Sequence, residues 1–194
     1  ELFITSKVWS THLSYDDVLK SAERTLENLR MDYLDLYLIH EVNYDIDLKE
    51  TMRAFDRLVD EGLIKNVGLS NFGVESFEKA QAVTSNKIVL NQVHYNLIFR
   101  EPQLKGMLEY CQSNDVFLEA WRPVQQGNLT HPGISMLDAM CGKYSKTQSQ
   151  VAINWLIAQD NVVTLSKTST IDHLEENLGA LDWEMEKSDV EKLY

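Results

Sequence analysis

Six short apolar runs in this 194-residue chain each end in side chains able to do chemistry. The ends are Ser6-Lys7, His40-Glu41, Ser70-Asn71, Gln92 with His94, Glu119 with Trp121-Arg122, and Ser166-Lys167. Lys7 directly follows Ile4-Thr5-Ser6. It reads as a surface lysine, or as a partly buried ammonium that lowers a neighbouring acid's pKa or forms a Schiff base. His40 closes the run Leu36-Tyr37-Leu38-Ile39. It reads as a satisfied core histidine or, at the mouth of a pocket, as a hydrogen-bond donor to a carbonyl. Ser166-Lys167-Thr168-Ser169-Thr170 sets hydroxyls and one cation before a helical pattern, which suits a plain N-cap and equally a phosphate. Trp121 at a strand end offers a flat face for a ring. Any one of these residues is better explained by a strand meeting water. Six in succession point to a shared site.

Other chemistries lack their motifs. His12, His40, His94, His131 and His173 are scattered, with no HExxH and no Cys/His pairs at ligand spacing, so no metal site is expected. GxGxxG, GxxxxGK[ST] and GxSxG are all absent.

The elements that must carry these ends alternate. Apolar, β-rich runs predict strands over 2–6, 34–40, 66–70, 88–94, 116–121 and 162–166. Helical spacing predicts helices over 15–29 behind Ser14 as N-cap, 48–60 with Gly62 as a stop, 74–83, 101–114 and 171–181. Residues 135–144 and 147–158 read as one or two helices, and 184–194 as a helix-like run. Six β/α pairs in a row predict a parallel α/β fold, either a doubly wound sheet or a (β/α)8 TIM barrel with about six of its eight units. In both, reactive residues gather at the C-terminal ends of strands. The first run starts at residue 1 and the last stops at Tyr194, so both ends read as cuts through a longer protein.

Length predicts a single domain over 1–194. A formal net charge of −12 argues against a general nucleic-acid binder, since phosphate contacts need clustered Lys and Arg. No apolar run approaches the roughly 18 residues of a membrane span. Cys111 and Cys141 are far apart in sequence, which predicts a reduced, cytoplasmic setting.

At these residues the sequence resembles the aldo-keto reductase family, in order and over essentially the whole chain. Leu2–Trp9 resembles the strand that carries the family's catalytic lysine, here Lys7. Leu26-Glu27-Asn28-Leu29 through Asp32-Tyr33-Leu34-Asp35 to His40 resembles the stretch that ends in its catalytic histidine. Gly68-Leu69-Ser70-Asn71-Phe72 and Asn91-Gln92-Val93 resemble the segments whose Ser, Asn and Gln bind the nicotinamide carboxamide. Ala120-Trp121-Arg122-Pro123 resembles the segment whose aromatic stacks on nicotinamide and whose loop wraps the pyrophosphate. Ser166-Lys167-Thr168 and Glu175-Glu176-Asn177 resemble the stretch that holds the adenosine 2′-phosphate and the adenine.

The resemblance implies the barrel, NADP(H) as cofactor and an aldehyde or ketone as substrate. Hydride passes to the carbonyl carbon, and a tyrosine, made more acidic by a lysine paired with an aspartate, protonates the oxygen. It places that tyrosine and aspartate in strands upstream of Glu1, so a poorly active fragment is expected, with self-association through open barrel edges. Two positions depart from the pattern. Glu41-Val42-Asn43 follows His40 in place of aromatic-Pro, and His173 stands where an arginine usually pairs with the 2′-phosphate. Two other readings stand beside the enzyme: a regulatory subunit that holds nucleotide without turnover, and an aldolase-like barrel with Lys7 as a Schiff-base lysine. The last leaves Ser70, Asn71, Gln92 and Lys167 unexplained.

Overall fold

The computed structural model describes residues 2–193, which fall into two compact units, 2–92 with 113–116 and 93–112 with 117–193. In the first unit, β1 (Thr5–Val8), β2 (Leu36–Ile39), β3 (Val67–Ser70) and most of β4 (Ile88–His94) pair in chain order, always parallel. Helices α1 (Tyr15–Leu29), α2 (Leu48–Asp60) and α3 (Val74–Gln81) make the crossovers. Every residue of β2 and β3 is buried, as parallel strands covered on both faces must be.

Local chemistry explains the crossovers. Ser14 Oγ accepts from Asp17 N to start α1, and Arg30 in a left-handed conformation ends it. Val18, Ala22 and Leu26 bury one stripe of that helix. The side chain of Asp47 accepts from Lys49 N at the start of α2, whose Met52, Phe55 and Leu58 are fully buried. Gly62, at φ +72°, turns the chain toward β3. Gly68 is required by close approach: a Cβ there would run into Leu38 Cδ2 and stand 3.1 Å from Leu90 O. Around it Leu36, Leu38 and Leu90 form one buried cluster.

The second unit holds the end of β4, then α4 (Glu101–Leu104), α5 (Met107–Ser113), β5 (Phe117–Trp121), α6 (Ser135–Tyr144), α7 (Gln148–Ile157), β6 (Val162–Leu165), α8 (Ile171–Leu178) and α9 (Lys187–Lys192). β5 and β6 are parallel and end level, with Trp121 opposite Leu165. The core forms around Trp155 of α7, which is fully buried against Tyr95. α9 is tied to α6 by Asp189, a buried carboxylate that accepts from Lys143 Nζ at 2.5 Å, Lys192 Nζ at 2.6 Å and the Tyr144 hydroxyl at 2.5 Å. The Lys143 contact, with those of Lys192 and Tyr144, holds that carboxyl well below the usual range.

Several boundaries differ from the sequence expectation. The first strand spans Thr5–Val8 rather than 2–6, so Lys7 lies inside it. Its ladder starts where β2 does: Ile4 N donates to Asp35 Oδ2 at 2.9 Å, and Leu2 and Phe3 stay 82% and 66% exposed. The helix expected over 101–114 is broken at Gly106, φ +77°. Residues 135–158 form two helices, because Ser145 turns left-handed and Thr147 opens α7 with a capping box to Gln150. The helix expected to 181 stops at Gly179. Of the run read as helix-like over 184–194, Lys187–Lys192 is helical, and Tyr194 lies outside the described residues.

Candidate active site

In the first unit, four strand ends converge. Ser70 closing β3 lies opposite Gln92 on β4, His40 follows β2, and Lys7 on β1 lies opposite Leu38, two residues before His40. Half-buried Lys7 donates from Nζ to Gln92 Oε1. Asn71 stands in the left-handed region, φ 61°, which asparagine tolerates. From there its backbone N–H reaches Gln92 O at 2.9 Å, and its side-chain amide reaches His40 O at 3.0 Å and Ser70 Oγ at 3.1 Å. These contacts link all five expected residues into one network.

The His40 ring is held by stacking. Trp9 lies against it with ring centroids 4.3 Å apart, and His40 Nδ1 is buried with no hydrogen-bond partner. Beside them, Ser10 Oγ donates to Glu41 Oε1 at 2.8 Å and Asn43 donates to Ser10 O at 2.8 Å. An ammonium, an imidazole and amide groups gathered at strand ends can hold a carboxamide and polarise a carbonyl. Tyr15, Tyr37 and Tyr95 do not join them. Tyr37 is fully buried against Phe55 of α2, and burial pushes its phenol upward. Tyr95 is buried with its hydroxyl on Gln159, and the Tyr15 hydroxyl meets Arg57.

In the second unit, Trp121 stacks on His94, centroids 4.4 Å apart at 18°, and His94 stacks in turn on Phe99 at 4.0 Å and 9°. Gln125 Oε1 meets His94 Nε2 at 2.8 Å, and Asn96 donates to Arg122 O and Gln125 Oε1. The loop after β5 turns through three positive-φ residues other than glycine, Arg122, Gln125 and Gln126. Behind it opens a cavity of about 620 Å³ whose lining includes Arg122, Lys167, His173, Glu176 and Asn177. Ser166 also lines it, with its Oγ buried and unpartnered. Thr168 does not, since its hydroxyl donates to Thr170 O within the turn before α8. A second cavity of about 570 Å³, beside Asn154 and Trp183, holds none of the expected residues. Among the described residues, no group of three or more His, Cys, Asp or Glu is placed to hold a metal, and no helix is long and apolar enough to cross a membrane.

The sequence profile of the aldo/keto reductase family matches residues 1–194. The chain belongs to the aldo/keto reductase family. It is 36% identical to glyoxal reductase of Bacillus subtilis over 193 residues, covering all of this chain and 67% of that protein. It superposes with TM-score 0.94 on the crystal structure of the thermostable aldo-keto reductase Tm1743 in complex with the inhibitor epalrestat, at 40% identity, covering 99% of this chain and 70% of that one. The aldo/keto reductase from Klebsiella pneumoniae in complex with NADP and acetate matches with TM-score 0.89 at 29% identity, over 99% of this chain and 69% of that one. The six parallel β/α units are thus part of the family's (β/α)8 barrel fold. The chain spans about two thirds of the length of the curated relatives it matches.

In this aldo/keto reductase chain, several residues at the two clusters had escaped the sequence reading. Trp9 was read only as the end of the Leu2–Trp9 stretch, with no role of its own, and Asn96 carried no motif. Gln126, Thr130 and His131 line the cavity from the loop after β5, where no periodicity marks which side chains turn inward, and Ser149 from the first turn of α7.

Proposed function

We propose that the chain carries the reacting and nucleotide-binding residues of an NADP(H)-dependent reductase of aldehydes and ketones. The observation that supports this best is the convergence of Lys7, His40, Ser70, Asn71 and Gln92 in one hydrogen-bonded network. In this reading Ser70, Asn71 and Gln92 hold the nicotinamide carboxamide. Trp121, backed by His94, presents a ring for stacking. Arg122, Lys167, Thr168, His173, Glu176 and Asn177 serve the phosphates and the adenine, Thr168 by shaping the turn rather than from the lining. A cavity of about 620 Å³ with two cations and a buried, unpartnered hydroxyl fits an anionic nucleotide. Bound NADP(H) supplies the hydride. Lys7 lowers the pKa of an adjacent proton donor and His40 orients the carbonyl.

The single-domain reading rests on the family match, which runs unbroken over 1–194. A reducing, cytoplasmic setting accords with two free cysteines, Cys111 and Cys141; burial pushes the Cys111 thiol up to about 12. Self-association belongs to the same reading. Val163 and Leu165 of β6 and Ile171, Leu174 and Leu178 of α8 are exposed, and sedimentation at rising concentration tests it.

The chain by itself acts as a nucleotide-holding piece with little turnover. Tyr15, Tyr37 and Tyr95 are engaged elsewhere, and loss of a general acid commonly costs about 10²- to 10⁴-fold. The test is NADPH fluorescence titration beside turnover of a reactive aromatic aldehyde, with and without an added N-terminal βαβα segment. Binding by both forms and turnover only by the extended one is expected. Brisk turnover by the 194 residues alone would show that another residue supplies the proton.

A further inference from the structure

We propose that Glu41 makes the site beside His40 select its substrates by charge, taking an aldehyde or ketone that carries an ammonium group and disfavouring one that carries a carboxylate. The inference rests on the reductase reading above and names the substrate class of that same site. Glu41 directly follows His40, the residue assigned to orient the carbonyl. Its carboxylate is held in place. Glu41 Oε1 accepts from Ser10 Oγ at 2.8 Å, and Ser10 is itself buried. Asn43 bridges the same two loops: its side-chain amide donates to Ser10 O at 2.8 Å, and its Oδ1 accepts from Asp45 N at 2.9 Å. His40 is tied to β1 as well, since its backbone N–H donates to Val8 O at 3.0 Å.

Trp9, next to Ser10 in the chain, adds an aromatic face. Its ring centroid lies 4.3 Å from that of His40, and the residue stays 56% exposed. An exposed indole beside a fixed carboxylate attracts an organic ammonium twice, through the ring quadrupole and through charge. A substrate carboxylate meets the opposite of both. The surroundings do not offset this. Segments 9–14 and 41–47, which carry these groups, hold Glu41, Asp45 and Asp47 and no lysine or arginine. Asp47 is turned to Lys49 N as the cap of α2, and His12 Nδ1 lies 3.4 Å from Thr11 Oγ1. Neighbouring cations are engaged elsewhere. Lys7 Nζ donates to Gln92 Oε1, and Lys79 of α3 pairs with Glu75 at 2.6 Å. The carboxylate nearest His40 in the chain is thus fixed by hydrogen bonds and left uncompensated by a cation of its own loop.

The experiment uses the chain extended by an N-terminal βαβα segment, as in the turnover test above, with NADPH and three aldehydes of one frame: para-(trimethylammoniomethyl)benzaldehyde, para-methylbenzaldehyde and para-formylphenylacetate. kcat/KM is measured for each with Glu41 and with Glu41→Gln, which keeps an acceptor for Ser10 Oγ and removes the charge. The ratio of the cationic to the anionic substrate is expected to fall at least about fivefold in Glu41→Gln, the intrinsic reactivities cancelling in the comparison. The fall should come from opposite shifts, a loss for the cation and a gain for the anion, whereas a damaged fold would lower all three. Because Glu41 is exposed, added salt should also shrink the ratio in the native form, a test that needs no variant. An equal ratio in both forms, a native ratio indifferent to salt, or a common fall of all three substrates overturns the inference. Turnover of none of the three by the native form overturns the reductase reading and this inference with it; turnover of all three with no dependence on their charge overturns this inference alone.

Discussion

The two clusters are built in opposite ways. The first unit's residues stand on or beside strand ends, where parallel register fixes their levels to each other, and hydrogen bonds tie Lys7 to Gln92 and Asn71 to His40 and Ser70. The second unit's cavity is walled by a loop of positive-φ residues, a turn before α8 and the exposed side chains of Arg122, Lys167 and His173. Chemistry at a carbonyl tolerates little misplacement, so its groups belong on rigid strands. A phosphate is large, charged and bound from many directions, so a loop with cations suffices. Geometry should therefore dominate in the first cluster and net charge in the second.

The largest expected effect tests that division at Lys7. In a form extended to turn over, Lys7→Met should lower kcat by about 10²- to 10⁴-fold. The NADPH Kd should stay within about threefold, since the residues proposed to hold the phosphates belong to the other unit. Paired turnover and fluorescence titration read both numbers. A Kd that weakens in step with kcat would erase the distinction between the two regions.

Next comes the scaffold of the first cluster. Gly68→Ala places a methyl against Leu38 and near the Leu90 carbonyl, two residues before Ser70. Overpacking of this kind costs about 1–3 kcal/mol. Urea unfolding should show that loss, and the β3–β4 register that sets Ser70 opposite Gln92 should loosen with it. Unchanged stability would mean that the strands yield easily and that rigidity is not what holds this cluster.

Lys167→Ala then addresses the second cluster. Removing the proposed charged contact to phosphate should weaken NADPH binding at least about tenfold, since the 1.5–3 kcal/mol typical of hydrogen bonds to charged groups corresponds to about 10- to 150-fold. Binding of NADH should change less, and kcat at saturating cofactor should hold. Equal losses for both nucleotides would place Lys167 away from the extra phosphate.

The same division explains what the sequence disclosed. Strand ends were legible because an apolar run must stop somewhere, and Lys7, His40, Ser70, Gln92 and Trp121 stand at or next to the stops. Helix α2 and strand β4 match their expected bounds; Gly62 marks the stop of the helix, and the apolar start Ile88-Val89-Leu90 marks the strand. Strand β1 was misplaced by about three residues because Leu2 and Phe3 are apolar yet lack a ladder partner, a fact that depends on where β2 begins. The break at Gly106 hid inside a sound helical pattern. The Lys7–Gln92 contact joins residues 85 apart, and no local spacing announces it. His131 escaped because loop side chains carry no periodicity; its place in the cavity follows from the left-handed turns at Arg122, Gln125 and Gln126.

The smallest expected effect concerns Thr147, which serves two elements at once. Its Oγ accepts from Gln150 N at 3.3 Å to cap α7 and donates to Glu176 Oε1 at 2.9 Å. Loss of a threonine N-cap costs about 1 kcal/mol. Thr147→Ala should lower stability by about that much, and Thr147→Ser should restore it, because serine keeps both hydrogen bonds. The consequence for nucleotide binding distinguishes the clusters further. The substitution frees the Glu176 carboxylate at the cavity wall without changing the lining's charge. If the cavity works by charge, affinity for NADPH should shift by less than about threefold, a fraction of the tenfold expected from deleting the Lys167 cation. A loss as large as that of Lys167→Ala, rescued by serine, would show that the phosphate end depends on fixed side-chain geometry as the carbonyl end does.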